Sequence, residues 1–239
     1  MPTMTRLTLT FDNGPSPDTT PAVLDALAAR RLPAYFCVIG QMLAAPEGPA
    51  LTRRCLAEGH IVVNHSMNHR VPLGDDLDPA HANHEILDTQ HLLDANVPAW
   101  RCTPSPEQAT SRGPIWFRPF GHGGHLGPHL FSPAAVELLR AEDYSVLLWN
   151  SVPRDWVDID GWVDTALDDL HTNEHTVLVL HDLPTGAMDH LPRFLDEVVA
   201  RGIETTLELP ESCVPMRAGR ATQDLASLTA TASVRTTSG

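Results

Sequence analysis

The chain has 239 residues, a formal net charge of −14, 42% hydrophobic and 19% charged residues, an ordinary balance for a globular protein with a core. This acidic composition argues against nucleic acid and anionic membrane surfaces as partners, because both attract clustered positive charge on a protein. All 16 basic residues are arginine, which excludes Schiff-base chemistry, a catalytic lysine and the lysine of phosphate-binding loops.

Apolar stretches of strand length alternate with helical patterns along the chain. The predicted strands are, in order, 6–11, 34–40, 60–65, 115–120, 144–150, 176–182 and 203–209. The predicted helices between them are 19–31, 49–58, 80–95, 133–142, 161–171 and 187–201. This alternation predicts an α/β fold with a parallel sheet and right-handed crossovers, which could close as an incomplete (β/α) barrel or stay open as a doubly wound sheet.

The composition changes once along the chain, near residue 210. Residues 1–210 contain all the predicted elements and are expected to form one domain. Residues 211–239 are rich in Ser, Thr and Ala and poor in large apolar side chains, so we expect a disordered tail there.

Cysteine spacing and hydropathy predict the cellular compartment of the protein. Cys37, Cys55, Cys102 and Cys213 are too widely spaced for a C-x-x-C metal or redox motif. The sequence shows no signal-peptide pattern, and no apolar run approaches the roughly 18 residues that a membrane span needs. We therefore expect a cytoplasmic, reduced protein that does not enter a membrane.

Side chains that could bind a metal or move a proton follow the predicted strands. Parallel α/β folds build their sites at the carboxyl ends of strands, so we expect these residues to gather. They are Asp12, Asn13, His65, His69, Arg118, Asp155 and His181. Each fragment alone also has a structural explanation, since D-N-G-P is a common turn and a buried arginine can serve a structural ion pair.

Five short segments that contain these residues, taken in chain order, resemble the motifs of the polysaccharide deacetylase family (NodB homology, carbohydrate esterase family 4). They read F-D-N-G-P from Phe11, H-S-M-N-H from His65, R-P-F-G from Arg118, D-W at Asp155 and L-H-D ending at Asp182. The resemblance extends over residues 7–209. It implies a distorted, incomplete (β/α) barrel, a NodB-type TIM-like barrel, which agrees with about seven predicted parallel strands.

The resemblance also implies a hydrolase that cleaves an acyl–nitrogen bond other than a peptide bond, usually an N-acetyl group on an amino sugar. By the family pattern, Asp12 is the general base and Arg118 keeps it ionised. Asp155 holds His181, which protonates the departing amine. Phe120 and Trp156 form the walls of the acyl pocket, and a backbone N–H following the Arg118 block, near Gly121, helps to bind the oxyanion.

The metal site implied by the resemblance contains one departure from the family. His65 and His69 match two ligands of a divalent metal, commonly zinc, but Asn13 replaces the aspartate that is usually the third ligand. An amide oxygen is neutral and a weaker donor than a carboxylate. Asn13 could still ligate, Asp12 or water could complete the site, or the enzyme could work without metal; the two histidines favour a bound metal.

A glycine- and histidine-rich loop over residues 121–129 is the second departure. His122 and His125 are candidate substrate contacts, although a solvated loop explains them equally. A loop above the strand ends would narrow the pocket, which favours a small-molecule or amino-sugar amide as substrate. The alternatives are a polysaccharide or peptidoglycan N-deacetylase, a metal-independent allantoinase-like cyclic amide hydrolase, and an inactive carbohydrate-binding protein; a homo-oligomer remains open.

Overall fold

The computed structural model describes residues 5–97 and 114–231 of the chain, so Cys102 lies outside the described residues. The strands are β1 (Arg6–Asp12), β2 (Ala34–Val38), β3 (Ile61–Asn64), β4 (Ile115–Phe117), β5 (Tyr144–Val146), β6 (His175–His181), β7 (Glu204–Thr205), β8 (Met216–Arg217) and β9 (Arg220–Ala221). The helices are α1 (Thr20–Ala28), α2 (Gly40–Leu43), α3 (Gly48–Ala57), α4 (Pro79–Asn83), α5 (Thr89–Asn96), α6 (Pro133–Ala141), α7 (Trp162–Thr172) and α8 (Leu191–Ala200).

Six parallel strands form the main sheet in the order β6-β1-β2-β3-β4-β5, and β7 pairs with the start of β1. The two ends of this series meet through one isolated parallel bridge, between Ser151 and Leu178, instead of a ladder of hydrogen bonds. The expected α/β fold with a distorted, incomplete barrel is therefore confirmed.

Alternation along β1 and β6 separates two layers of the core. Leu178 and Leu180 belong to the core cluster that includes side chains of α1, α7 and α8, whereas Val177 and Val179 belong to a second cluster that includes side chains of β2, β4 and β5. Val179 also lines the cavity at the strand ends. In the register of the two strands, Asp12 is opposite His181, and each is two residues beyond an inward-facing pair. Side chains two residues apart in a strand share a face, so Asp12 and His181 point to the barrel interior.

The predicted helix over residues 80–95 is interrupted in its middle. A π-helical turn, His84–Asp88, separates α4 from α5. Such turns insert one extra residue into a helix and change the direction in which its side chains project, and they occur often at functional sites. Hydrophobic periodicity does not distinguish a π turn from an α-helix, so the interruption was not predicted.

The expectation of a disordered tail from residue 211 is wrong for residues 211–231. Strand β8 pairs antiparallel with β5 at the edge of the sheet, and β9 pairs with β8. Cys213, Val214 and Met216 are buried, and the Leu148 N–H donates to the Cys213 carbonyl. These few apolar side chains are enough to order this segment because they cover the edge of the sheet at β5.

Within residues 5–97 and 114–231, no helix is long and apolar enough to cross a membrane.

Candidate active site

A cavity of about 310 Å³ opens at the carboxyl ends of the parallel strands. Predicted site residues line it from five separate segments of the chain, which is the arrangement expected for a parallel α/β fold. The lining residues are Asp12, Asn13, His65, His69, Phe120, Gly121, His122, Gly123, Gly124, Trp149, Val152, Trp156, Val179, His181 and Leu183.

Asp12 ends β1 as a buried carboxylate with two cationic or polar neighbours. Its Oδ2 lies 3.4 Å from Arg118 Nη1 and 3.6 Å from His65 Nε2. Burial raises the pKa of Asp12, but the attraction of its charged neighbours, above all Arg118, outweighs burial and leaves the pKa below its ordinary value. The side chain is therefore an ionised carboxylate at neutral pH.

Arg118 is the fully buried cation of the site and lies behind the cavity lining. It follows β4 directly, and its guanidinium lies over the Trp149 ring at 5.2 Å from the ring centroid. A buried positive charge is costly unless it is paired. Here the Asp12 carboxylate is the ion-pair partner, and the face of the Trp149 ring adds a cation–π contact. The ion pair also limits how far the Asp12 side chain can rotate.

His181 ends β6 and is held by a second buried carboxylate, Asp155. The His181 Nδ1 lies 2.8 Å from Asp155 Oδ1, and the His181 backbone N–H donates to Asp155 Oδ2 at 2.9 Å. Burial lowers the pKa of His181, but the hydrogen bond and charge of Asp155 outweigh burial and raise the pKa above its ordinary value. Nδ1 carries the donated proton, so Nε2 is the nitrogen that exchanges protons with a ligand.

His65 and His69 lie side by side in the loop after β3, with ring centroids 4.6 Å apart. His65 Nδ1 lies 2.8 Å from the Arg118 carbonyl, which can only accept, so Nδ1 bears the hydrogen and Nε2 presents a lone pair. Burial lowers the pKa of both imidazoles, that of His69 to about 2. Both rings are neutral and thus able to bind a metal.

The polar atoms beside these imidazoles fit a divalent cation. Asp12 Oδ1, Asn13 Oδ1 and His65 Nε2 are buried, and none has a hydrogen-bond partner. Unpartnered buried acceptors are costly unless a ligand satisfies them, and imidazole and amide or carboxylate oxygen suit zinc or cobalt. Across the described residues, no three His, Cys, Asp or Glu side chains form a metal-binding group, so the candidate third protein ligand beside His65 and His69 is the Asn13 amide oxygen.

Asn13 lines the same cavity and has an unusual backbone conformation. Asn13 has φ 75°, a left-handed conformation that asparagine tolerates better than most residues. Gly14 follows, and a Cβ there would lie 2.2 Å from the buried Asp182 carboxylate. The D-N-G-P turn is thus fitted tightly against the end of β6.

An aromatic wall borders the cavity beside the His65 and His69 imidazoles. The His69 ring packs against Phe120 with centroids 3.9 Å apart and the ring planes tilted by 38°, and Phe120 stacks on His122 at 5.6 Å. On the opposite side, the Trp156 ring meets the His181 ring edge-on at 4.8 Å. A Cβ on Gly121 would lie 2.4 Å from the Trp149 ring, so glycine lets the loop pack against this wall.

One prediction needs adjustment in the glycine- and histidine-rich loop. His122 and His125 are both exposed, but His122 lines the cavity and His125 does not, so the expected contribution of His125 to the pocket is corrected. The turn over residues 121–124 folds back through the Trp149 Nε1–H, which donates to the Gly124 carbonyl. Residues 125–129, which follow this turn, do not line the cavity.

Sequence reasoning missed Trp149, Val152, Val179 and Leu183 in the cavity wall. Trp149 comes three residues after β5, so the rule that found the other site residues could have found it. Glu85 accepts a hydrogen bond from the Met67 N–H in the loop after β3. It lies in the π turn and does not follow a strand, so that rule could not have found it.

Comparison with known proteins adds evolutionary information to this geometry. A family model described as polysaccharide deacetylase matches residues 2–104. A chitooligosaccharide deacetylase of Sinorhizobium fredii is 34% identical over 176 residues, which is 73% of this chain and 70% of that protein.

Two solved structures show the same fold. A family 4 acetyl xylan esterase from Clostridium thermocellum, in complex with a cobalt ion, matches with TM-score 0.60 and 23% identity over 84% of this chain and 86% of that chain. A CE4 family pseudoenzyme from Bacillus anthracis matches with TM-score 0.63 and 15% identity over 86% and 64%. Because one is an esterase and the other a pseudoenzyme, activity has to be argued from the site residues.

Proposed function

Because the chain belongs to the polysaccharide deacetylase family, we propose that it is an N-deacetylase that hydrolyses the acetamide of an amino sugar in an oligosaccharide. The observation that carries the proposal is the pairing of Asp12 and His181 across neighbouring strands, with both side chains on one cavity. Each has a buried partner of opposite charge, Arg118 for Asp12 and Asp155 for His181. Binding alone requires no such acid and base.

Asp12 serves as the general base in the proposed reaction. Its depressed pKa keeps it ionised, and its Oδ1 has no partner and is available to accept a proton. Water attacks the acetyl carbon, its oxygen forms the new bond, and its proton passes to the Asp12 carboxylate. Proton transfer by a positioned side chain is typically worth about 10²–10⁴ in rate.

His181 serves as the general acid that completes the cleavage. An amine leaves poorly as an anion, so the C–N bond breaks when the nitrogen receives a proton. Because the pKa of His181 is raised, the imidazolium form is available near neutral pH. Its proton passes to the nitrogen, and the products are acetate and a free amino sugar.

His65, His69 and Asn13 would hold a divalent metal, with zinc the expected ion. When bound, such a metal polarises the acetyl carbonyl and lowers the pKa of water. The neutral imidazoles and the unpartnered Asn13 Oδ1 support this assignment, as does the cobalt ion named for the Clostridium thermocellum neighbour. A set with one amide and no carboxylate beside the two histidines predicts weaker metal binding than a set with aspartate.

The substrate class follows from cavity size and from the relatives. A volume of about 310 Å³ lies at the lower end of the about 300–1,000 Å³ typical of ligand pockets, which suits one sugar unit at a time. The sequence alone favours a small-molecule amide, but the substrate named for the Sinorhizobium fredii relative favours the oligosaccharide alternative. We therefore adopt the acetylated glucosamine oligomer as substrate.

The test is incubation of the purified protein with N-acetylglucosamine, its tetramer and peptidoglycan, followed by mass spectrometry for loss of acetyl groups. We expect deacetylation of the tetramer at a higher kcat/KM than of the monomer. Turnover of the monomer with an unchanged tetramer would contradict the oligosaccharide assignment. No turnover of any of the three, in the presence of added zinc or cobalt, would contradict the enzyme assignment itself.

A further inference from the structure

The loop that carries the two metal-binding histidines has an unfavourable backbone conformation. Ser66 has φ 71° and His69 has φ 53°, both in the left-handed region that side chains with a Cβ rarely adopt. Such conformations persist only where the surroundings determine them. The contacts that hold this loop therefore decide where the two imidazoles lie.

Glu85 makes a pair of contacts to this loop from the π-helical turn. The backbone N–H groups of Met67 and Asn68 both donate to Glu85 Oε2, at 2.9 and 3.0 Å. The Asn68 side-chain amide lies 3.4 Å from Glu85 Oε1. Glu85 is only 3% exposed, and hydrogen bonds from amides to a buried charged acceptor are among the stronger ones in proteins.

The other side of the loop is fixed through its carbonyl groups. The N–H groups of Gly40 and Gln41, at the start of α2, donate to the carbonyls of Ser66 and Met67. Residues 66–68 are thus held from two sides. Glu85 accepts hydrogen bonds from their N–H groups, and the N–H groups of α2 donate to their carbonyls. The stretch lies between the two histidines and is clamped from both directions.

The π turn itself is anchored to the strand that precedes the loop. The Asn64 side-chain amide donates to the Ile86 carbonyl at 2.8 Å, and the Asn64 Oδ1 accepts the Ser66 N–H at 3.2 Å. The extra residue of the π turn changes the direction of the side chains around Glu85, which points inward at this place. Glu85, Asn64 and the loop form one connected unit.

We propose that Glu85 is a positioning residue that sets the separation and orientation of the His65 and His69 imidazoles through the backbone of residues 67 and 68. This inference rests on the metal site of the proposed function. Groups one step removed from a metal ligand typically contribute 10–100-fold to metal affinity. Loss of the carboxylate should therefore weaken metal binding without removing a ligand.

Two substitutions separate the hydrogen bonds of Glu85 from its charge. Glu85→Gln keeps an acceptor oxygen for both backbone N–H groups but is neutral, whereas Glu85→Ala removes the acceptor. Thr52→Ala is the matched control, because Thr52 is also buried on a helix but donates to the Gly48 carbonyl, within α3. The readouts are amide hydrogen exchange at Met67 and Asn68 in the metal-free protein, and Co²⁺ binding followed by visible absorption.

We expect Glu85→Ala to lose exchange protection at Met67 and Asn68 and to bind Co²⁺ about 10–100-fold more weakly. Glu85→Gln and Thr52→Ala should stay within about threefold of the unmodified protein, well inside that range. Co²⁺ affinity of Glu85→Ala equal to that of the unmodified protein would overturn the proposal. Equal weakening in Thr52→Ala would also overturn it, since the effect would then reflect general destabilisation.

Failure of the metal assignment can be distinguished from failure of this inference. If the unmodified protein binds no Co²⁺, the metal part of the proposed function is wrong, and the role of Glu85 is then measured on turnover. A lower kcat for Glu85→Ala, with Glu85→Gln unaffected, supports positioning of the loop. A kcat for Glu85→Ala equal to that of the unmodified protein overturns it.

Discussion

The two sides of the cavity differ in how their polar atoms are satisfied. On the β1–β6 side, Asp12 and His181 each have a buried counter-charge, and adjacent strands fix their backbones. On the other side, the Asn13 Oδ1 and the His65 Nε2 are buried with no partner. On the first side the protein supplies both counter-charges, although Asp12 Oδ1 lacks a hydrogen bond, whereas on the second side neither acceptor has a hydrogen-bond partner. The groups proposed for proton transfer and those proposed for metal binding therefore depend on different neighbours.

The largest expected effect comes from removing a proton-transfer group on the β1–β6 side. His181→Ala should lower kcat for tetramer deacetylation by about 10²–10⁴, because the amine then leaves without a general acid. Steady-state kinetics with acetate detection measures the loss. Asp18→Asn is the control, an exposed residue in the turn after β1, and it should keep the rate of the unmodified protein. Retention of the full rate in His181→Ala would remove the acid assignment.

A smaller change is expected on the unsatisfied side from Asn13→Asp. A carboxylate ligand adds a negative charge, and ligand charge count tunes metal affinity, so Co²⁺ should bind at least about tenfold more tightly. Titration calorimetry compares the variant with the unmodified protein, and Asn13→Ala, which lacks the donor oxygen, should bind more weakly than either. Identical affinities in the three proteins would show that residue 13 does not touch the metal.

The coupling of His181 to Asp155 should be visible in the pH profile. Activity requires protonated His181 and therefore falls as pH rises through its pKa, which Asp155 raises. Asp155→Asn removes that charge, so the alkaline fall should begin at a lower pH. The measurement is kcat against pH at saturating tetramer. If kcat of Asp155→Asn falls over the same alkaline pH range as kcat of the unmodified protein, a group other than His181 causes the fall.

The smallest expected effects lie in the loop above the cavity. His122 lines the cavity and stacks on Phe120, whereas His125 does not line it. His122→Ala should raise KM for the tetramer several-fold, because it removes one contact with substrate worth about 1 kcal/mol. His125→Ala should leave KM unchanged. Equal effects of the two substitutions would show that the loop changes conformation when substrate binds.

Much of the fold and the gathering of site residues was predictable from the sequence. Parallel strands bring their carboxyl ends to one edge, so Asp12 and His181 could be placed together before any coordinates existed. The sequence could not predict that β8 covers the β5 edge, because a few apolar residues decide it. Glu85 was also beyond reach, since its role depends on a π turn and on backbone N–H groups far away in sequence.

The most direct test of the central claim is acetate release from the acetylated glucosamine tetramer by the purified protein and by its Asp12→Asn variant. Asp12→Asn is nearly isosteric, keeps the cavity shape and removes the base. The account predicts many acetate molecules per molecule of unmodified protein and a rate lower by about 10²–10⁴ in the variant. Equal release by the two proteins would contradict the account.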